Sequence, residues 1–233
     1  MTCVILQPSY IPWRGYFHQI QKADVFVFYD DVQYDVDGWR NRNRIKTPNG
    51  PVWLTIPVSA KGVHVNRRRI CDIRICWDRQ WATTHLKSLR HSYASAAHFK
   101  RYEGLLEEWY GSRPELLAEF TISTTIQLAR ELGIRHTQFL RSSNLKCSGA
   151  KTDRVLSVLR QVGATRYVSG PSARAYLEVE KLAVEGIGVE WMSYAYPEYP
   201  QLYPPFDPQV SILDLLLTVG PAAGEYIWAS PSV

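Results

Sequence analysis

Residues 3–30 constrain the fold more than any other stretch of the chain. A short apolar run, CVIL (3–6), passes through the turn QPSYIPWRGYF (7–17) into GYFHQIQKA (15–23), where Tyr16, Ile20 and Ala23 share one helical stripe. DVFVFYD (24–30) follows, apolar enough to be buried on both faces of a sheet. Strand, helix and strand in such close order make a βαβ unit, which requires parallel strands and a right-handed crossover.

The second half of the chain repeats that alternation. RHTQFLRSS (135–143), TRYVSG (165–170) and VEWMSY (189–194) read as strands, separated by the helices KTDRVLSVLRQVG (151–163) and ARAYLEVEKLAVEG (173–186). Two inserts interrupt the pattern. Residues 39–76 are β-rich, with a PNG turn (48–50) between NRIKT and VWLTIPV and further alternation in RRICDIRIC (68–76). Residues 81–110 and 113–132 read as two helices, with Ser112 capping the second and Pro114 in its first turn. A proline-aromatic tail, PEYPQLYPPFDPQ (197–209), leads to a last helix, where Ser211 and Asp214 have capping-box spacing. The expectation is one three-layer, Rossmann-like α/β domain over residues 1–233, with an antiparallel hairpin insert and a helical insert.

Composition narrows the function classes. A chain of 233 residues buries a sizeable core without staples, and its four cysteines show neither a disulfide framework nor zinc spacing. Cys71 and Cys76 are expected on a strand, facing opposite sides as free thiols. No apolar window reaches membrane-span length and no signal-peptide pattern opens the chain, so a cytosolic protein without membrane contact is expected. The net charge of +5 gathers in WRNRNRIK (39–46), NRRRICDIR (66–74) and LRHSYASAAHFKR (89–101). Such runs suit phosphates or nucleic acid, or form a solvated face. The six histidines lack metal-ligand spacing, and neither a G-x-S-x-G elbow, a Walker A loop nor G-x-G-x-x-G is present.

Ligands of open parallel sheets bind beyond the carboxyl ends of the strands, so the loops there hold the candidates. Gly15 opens the first helix, where free N–H groups favour a phosphate and a glycine admits close approach. The alternative is that Pro8 and Pro12 only stiffen a turn whose Tyr10, Trp13 and Tyr16 cover the core. In YDDVQYDVDGWRNRNR (29–44), Asp30 and Asp31 suit a metal ion, a substrate amine or general-base work, with Gln33 and Trp39 beside them. Arg40, Arg42 and Arg44 alternate with asparagines, which on a strand gives one face of three guanidinium groups, a clamp for phosphate or carboxylate or a face paired to the preceding aspartates. SGPSAR places Ser169, Gly170, Ser172 and Arg174 where a strand meets a helix, and Lys151 precedes another helix.

In the order QPSYIPWRGYF, ADVFVFYDDVQY, GWRNRNRIKTPNG, WLTIPV, KTDRVL, YVSGPSARAYL and SILDLLLTVG, the chain resembles the WbqC-like family from residue 4 to residue 220. That resemblance implies a cytosolic biosynthetic role, since members occur in polysaccharide and natural-product gene clusters. The opening turn is similar, more distantly, to nucleotidylyltransferases and pantothenate synthetases. Where those enzymes carry HxGH, this chain has Tyr10, Trp13 and Tyr16, with His18 half a turn further in. The likeness implies a nucleotidylyltransferase-like sheet and ATP or another nucleotide, with magnesium, as cofactor.

The leading expectation is a transferase or ligase that uses a nucleotide- or aminoacyl-type donor to acylate an amine or hydroxyl of a sugar or natural-product intermediate. Gln7, Gly15 and the GPSAR loop would hold the donor, Arg40, Arg42 and Arg44 would neutralise charge, and Asp30 or Asp31, with Tyr10 and Tyr16, would act on the acceptor. A nucleic-acid binder, for example one that takes charged tRNA, is the alternative. A non-catalytic partner in a biosynthetic complex is the third.

Overall fold

In the computed structural model, which describes residues 1–59 and 68–228, β1 (Thr2–Leu6), α1 (Arg14–Lys22) and β2 (Val25–Phe28) form the βαβ unit. Alternate side chains of both strands are buried on opposite faces. Val4, Phe26 and Phe28 join one apolar cluster, while Cys3, Ile5, Val25 and Val27 join another. That two-sided burial is why these strands read as continuous apolar runs.

The first insert holds one antiparallel hairpin, β3 (Arg42–Thr47) and β4 (Gly50–Thr55), in register from Arg42↔Thr55 to Thr47↔Gly50. The alternation expected further on is not a strand. Ile70–Asp72 forms a 3₁₀ turn, and Arg69, Arg74 and Ile75 make only isolated bridges to Gln33, Leu116 and Val58. Cys71 is therefore buried in that turn, not on a strand face. Residues 60–67, which include His64 and the start of the basic run at 66, lie outside the described residues.

Three helices, not two, build the second insert: α2 (Trp81–Tyr93), α3 (Phe99–Ser112) and α4 (Leu117–Glu131). The break before α3 is tertiary in origin, since His98 N–H donates to Leu217 O and the His98 ring lies against Gly220. Ser112 ends α3 and donates its hydroxyl to Trp109 O, so it does not cap α4. Pro114 stands outside both helices, where its carbonyl accepts the Trp77 indole N–H at 2.7 Å.

β5 (Gln138–Arg141), α5 (Lys151–Val162), β6 (Arg166–Ser169), α6 (Val179–Val184) and β7 (Gly188–Trp191) complete the α/β part. The helix expected from 173 is shorter, because Pro171–Ala175 is a 3₁₀ turn. All five strands are parallel in the order β5-β2-β1-β6-β7. The chain winds outward from β1 through β2 to β5, then returns to the other side of β1 for β6 and β7. The reversal between β1 and β6 is the topological switch point, where neighbouring loops diverge and leave a crevice.

α7 (Ile212–Val219) closes the chain over the larger cluster. Its expected capping box is absent: the Ser211 hydroxyl is buried without a partner among the described residues, while the Asp214 carboxylate accepts from Tyr93 OH at 2.8 Å and Tyr199 OH at 3.0 Å. Two buried phenols compete for that carboxylate, and the cap loses.

Candidate functional site

The turn after β1 is clamped by the hairpin. Asn43 Nδ2 donates to Tyr10 O at 3.0 Å and Ile11 O at 2.7 Å, Tyr10 N–H donates to Trp39 O at 3.1 Å, and Arg40 Nη1 donates to Pro8 O at 3.2 Å. Ile11 is held at a φ of 39°, a conformation a β-branched residue adopts only where its surroundings enforce it. The hairpin thereby fixes one wall of a cleft of about 640 Å³ at the switch point. Gln7 and Tyr16 form its floor, Trp39 and Arg40 the hairpin side, and Ser172 and Tyr176 the side beyond β6.

Gly15 proves necessary for a different neighbour than a ligand. The Trp13 indole folds back over it, and a Cβ at this position would stand 2.4 Å from the ring. The indole then faces Tyr194, with ring centroids 5.0 Å apart, and lines the cleft. Arg14 turns away, donating to Pro197 O at 2.8 Å and Tyr226 O at 3.1 Å beneath the Tyr196 ring. The chain's own aromatic side chain covers the start of α1.

A second cleft, of about 610 Å³, opens beyond β2 and β5. Arg69, Lys151 and Arg154 line it with Asp31; Arg154 pairs with Asp31 and Arg69 with Asp72, which leaves Lys151 as the lining cation without a carboxylate partner among the described residues. Gly149 and Lys151, at φ values of 88° and 47°, shape the turn that presents Lys151 at the start of α5. Tyr29 lines both clefts, so they are neighbours across one phenol ring. Burial pushes the Tyr29 hydroxyl pKa up, and the Arg154 guanidinium opposes that rise.

The paired aspartates have separate fates. Asp30 is fully buried, accepting from Arg141 Nε at 2.7 Å, Ser143 Oγ at 2.9 Å and Ser143 N–H at 2.9 Å. Every one of these partners comes from the β5 end, so Asp30 ties that loop to β2. Asp31 stands at the cleft wall, where it takes the Ser142 hydroxyl at 2.5 Å and pairs with Arg154.

The three arginines do not form one clamp, because Arg40 precedes β3 and only Arg42 and Arg44 alternate on it. Arg42 lies over the Trp53 ring at 4.9 Å and donates to Asp37 O, while Arg44 donates to Gln209 O and pairs with Asp207 at 3.6 Å. Arg40 alone reaches the switch-point cleft. Tyr10 is turned into the helical insert, where its hydroxyl meets Tyr110 OH at 2.5 Å and His85 Nδ1 at 2.9 Å, away from both clefts. Tyr16 stays at the floor and donates to Gln7 O at 3.1 Å.

Ser169 is buried and bonded to Tyr167 OH, Gly170 packs against Tyr194, and Arg174 covers the Trp191 ring at 5.0 Å, which leaves Ser172 as the member of that loop on the cleft. Gln33 and Lys151 line the second cleft. The sequence reading missed Tyr29, Arg69 and Arg154. For Arg154 a signal existed, since it lies one helical turn beyond Lys151 on the same face.

Among the described residues no group of three or more His, Cys, Asp or Glu side chains converges as a metal-binding set, and no helix is long and apolar enough to cross a membrane. The family model described as WbqC-like protein family matches residues 7–226. The uncharacterized protein Rv1507c of Mycobacterium tuberculosis is 40% identical over 225 residues, covering 96% of this chain and 96% of its own length. No solved structure matches.

Proposed function

The chain belongs to the WbqC-like protein family, and from that premise we propose that it is a two-substrate transferase or ligase that uses an activated donor to acylate an amine or hydroxyl of a sugar or natural-product intermediate. The observation that supports this reading is the meeting of two clefts of unlike chemistry at Tyr29, on the carboxyl edge of a parallel sheet. Lys151, Arg154 and Arg69 suit the phosphates of a nucleotide-type donor, with ATP and magnesium the first to test. The aromatic switch-point cleft suits the other substrate, and Asp31, between Arg154 and Ser142, is the carboxylate placed to orient or deprotonate it.

A thermal-shift series with magnesium-ATP, aminoacyl-adenylate analogues and nucleotide sugars tests the donor site. A donor at a hundred times its dissociation constant adds about 2.7 kcal/mol, a rise of roughly 5–10 °C for a domain of this size. Lys151→Ala combined with Arg154→Gln should remove that rise. No shift with any of the three donor classes would sink the reading.

A second reading, charged tRNA as donor, draws on the hairpin. Trp39 and Trp53 are 43% and 47% exposed, with rings 5.2 Å apart and Arg42 stacked on Trp53. Exposed aromatic faces interleaved with guanidinium groups suit unpaired bases. Affinity for tRNA should then fall steeply with salt, and its absence at low salt eliminates this version.

A further inference from the structure

We propose that the switch-point cleft is a carboxylate subsite, in which Arg40 receives a flat, singly charged organic acid. This rests on the reading of two substrates meeting at Tyr29 and assigns the class of the one that does not carry the phosphates. Arg40 is the sole charged side chain lining this cleft among the described residues. Its one protein acceptor is Pro8 O, its Nε is enclosed without a partner, and no carboxylate pairs with it among the described residues. Arg44, by contrast, donates to Gln209 O and pairs with Asp207. A partly buried guanidinium with no carboxylate in contact gains from an anion that a ligand supplies.

Charge count decides between carboxylate and phosphate. The neighbouring cleft gathers Lys151 with Arg154 and Arg69, which are paired with Asp31 and Asp72, whereas this one offers a single guanidinium. A planar guanidinium with free donors matches the two oxygens of a carboxylate, and a phosphate dianion here would be left half neutralised. The remaining walls set the body of the ligand. Trp13, Tyr16, Trp39 and Tyr176 present ring surfaces, which favour a flat apolar or aromatic body. Gln19 stands at the same wall, with its Nε2 donating to Tyr194 OH at 2.9 Å. Burial lowers the Arg40 pKa, and Tyr16, Asp35 and Tyr34 oppose that fall.

Because Trp13 and Trp39 line the cleft, tryptophan fluorescence reports its occupancy. The probes are benzoate, phenylacetate and 3-phenylpropionate, each against its neutral amide, with phenyl phosphate as the dianionic control. The carboxylates should bind at least about tenfold more tightly than the amides and phenyl phosphate, the worth of one charge-assisted hydrogen bond. Arg40→Gln should abolish that preference, and Arg40→Lys should keep part of it. Circular dichroism checks the fold of each variant, and Trp39→Ala should weaken acids and amides alike, which locates the signal.

Equal binding of acids and amides, no response to any acid, or an unchanged preference in folded Arg40→Gln overturns the subsite. The donor-site reading fails separately. Lys151→Ala with Arg154→Gln should leave the carboxylate preference intact while the magnesium-ATP shift disappears. A carboxylate preference without any donor shift would uphold the subsite and defeat the two-substrate reading.

Discussion

Tyr10 and Tyr110, one hundred positions apart in the chain, share a hydroxyl-to-hydroxyl hydrogen bond of 2.5 Å inside the helical insert. His85 Nδ1 joins them at 2.9 Å, and Phe120 packs beside the rings. This buried node anchors the first loop of the sheet to the insert, so the insert holds the wall of the switch-point cleft in place.

Tyr10→Phe should therefore cost stability and not binding. The change leaves Tyr110 OH and His85 short of a partner in a sealed site, worth about 1–3 kcal/mol. Denaturant unfolding measures that loss, and the cleft titrations described above should be unmoved. A large loss of binding at unchanged stability would put Tyr10 back at the reaction centre.

His85 gives this node a pH signature. Burial lowers its pKa from 6.5 to about 4, so the unfolded chain takes up the proton first as pH falls. Stability from the neutral ring is complete above about pH 6.5 and is lost progressively down to about pH 4, by about 3 kcal/mol in all. Melting temperatures of wild type and His85→Phe across that window should converge towards acid, and parallel curves would contradict the assignment.

Asp30 and Asp31 should separate cleanly. Asp30→Asn breaks a fully buried carboxylate's contacts with Arg141 and Ser143 and should cost about 3 kcal/mol in denaturant unfolding. Asp31→Ala removes a largely covered carboxylate from Arg154 and Ser142 and should cost about 1–3 kcal/mol. Turnover, once a substrate pair is found, should vanish in Asp31→Ala although the protein is folded.

Gly15→Ala tests why the first helix opens on glycine. The added methyl meets the Trp13 indole, so the ring must swing out at a cost of about 1–3 kcal/mol. Its fluorescence should shift towards that of an exposed indole. An unperturbed spectrum would mean that the ring does not cover the helix start.

The parallel sheet was legible because its strands are short, continuous apolar runs whose burial is local to each element. Side chains that look alike in the sequence were not separable. Arg40, Arg42 and Arg44 share a pattern, yet Pro8, Trp53 and Gln209 decide where each guanidinium goes. Asp30 and Asp31 are adjacent, and only the arrival of Ser142 and Ser143 from another strand end makes one an anchor and the other a cleft wall. The alanine-rich stretch 94–97 reads as helix by propensity, but the contact of His98 with Leu217 and Gly220 ends the helix there.

The switch-point cleft is bounded by Gln7 at one end of the chain and by Gln209 near the other. These two residues are 202 positions apart, so the cleft is complete only once β1, the turn after β6 and the segment before α7 have packed together. Loss of packing at any one contributor opens the cleft, so its integrity is a property of the whole fold and not of one element.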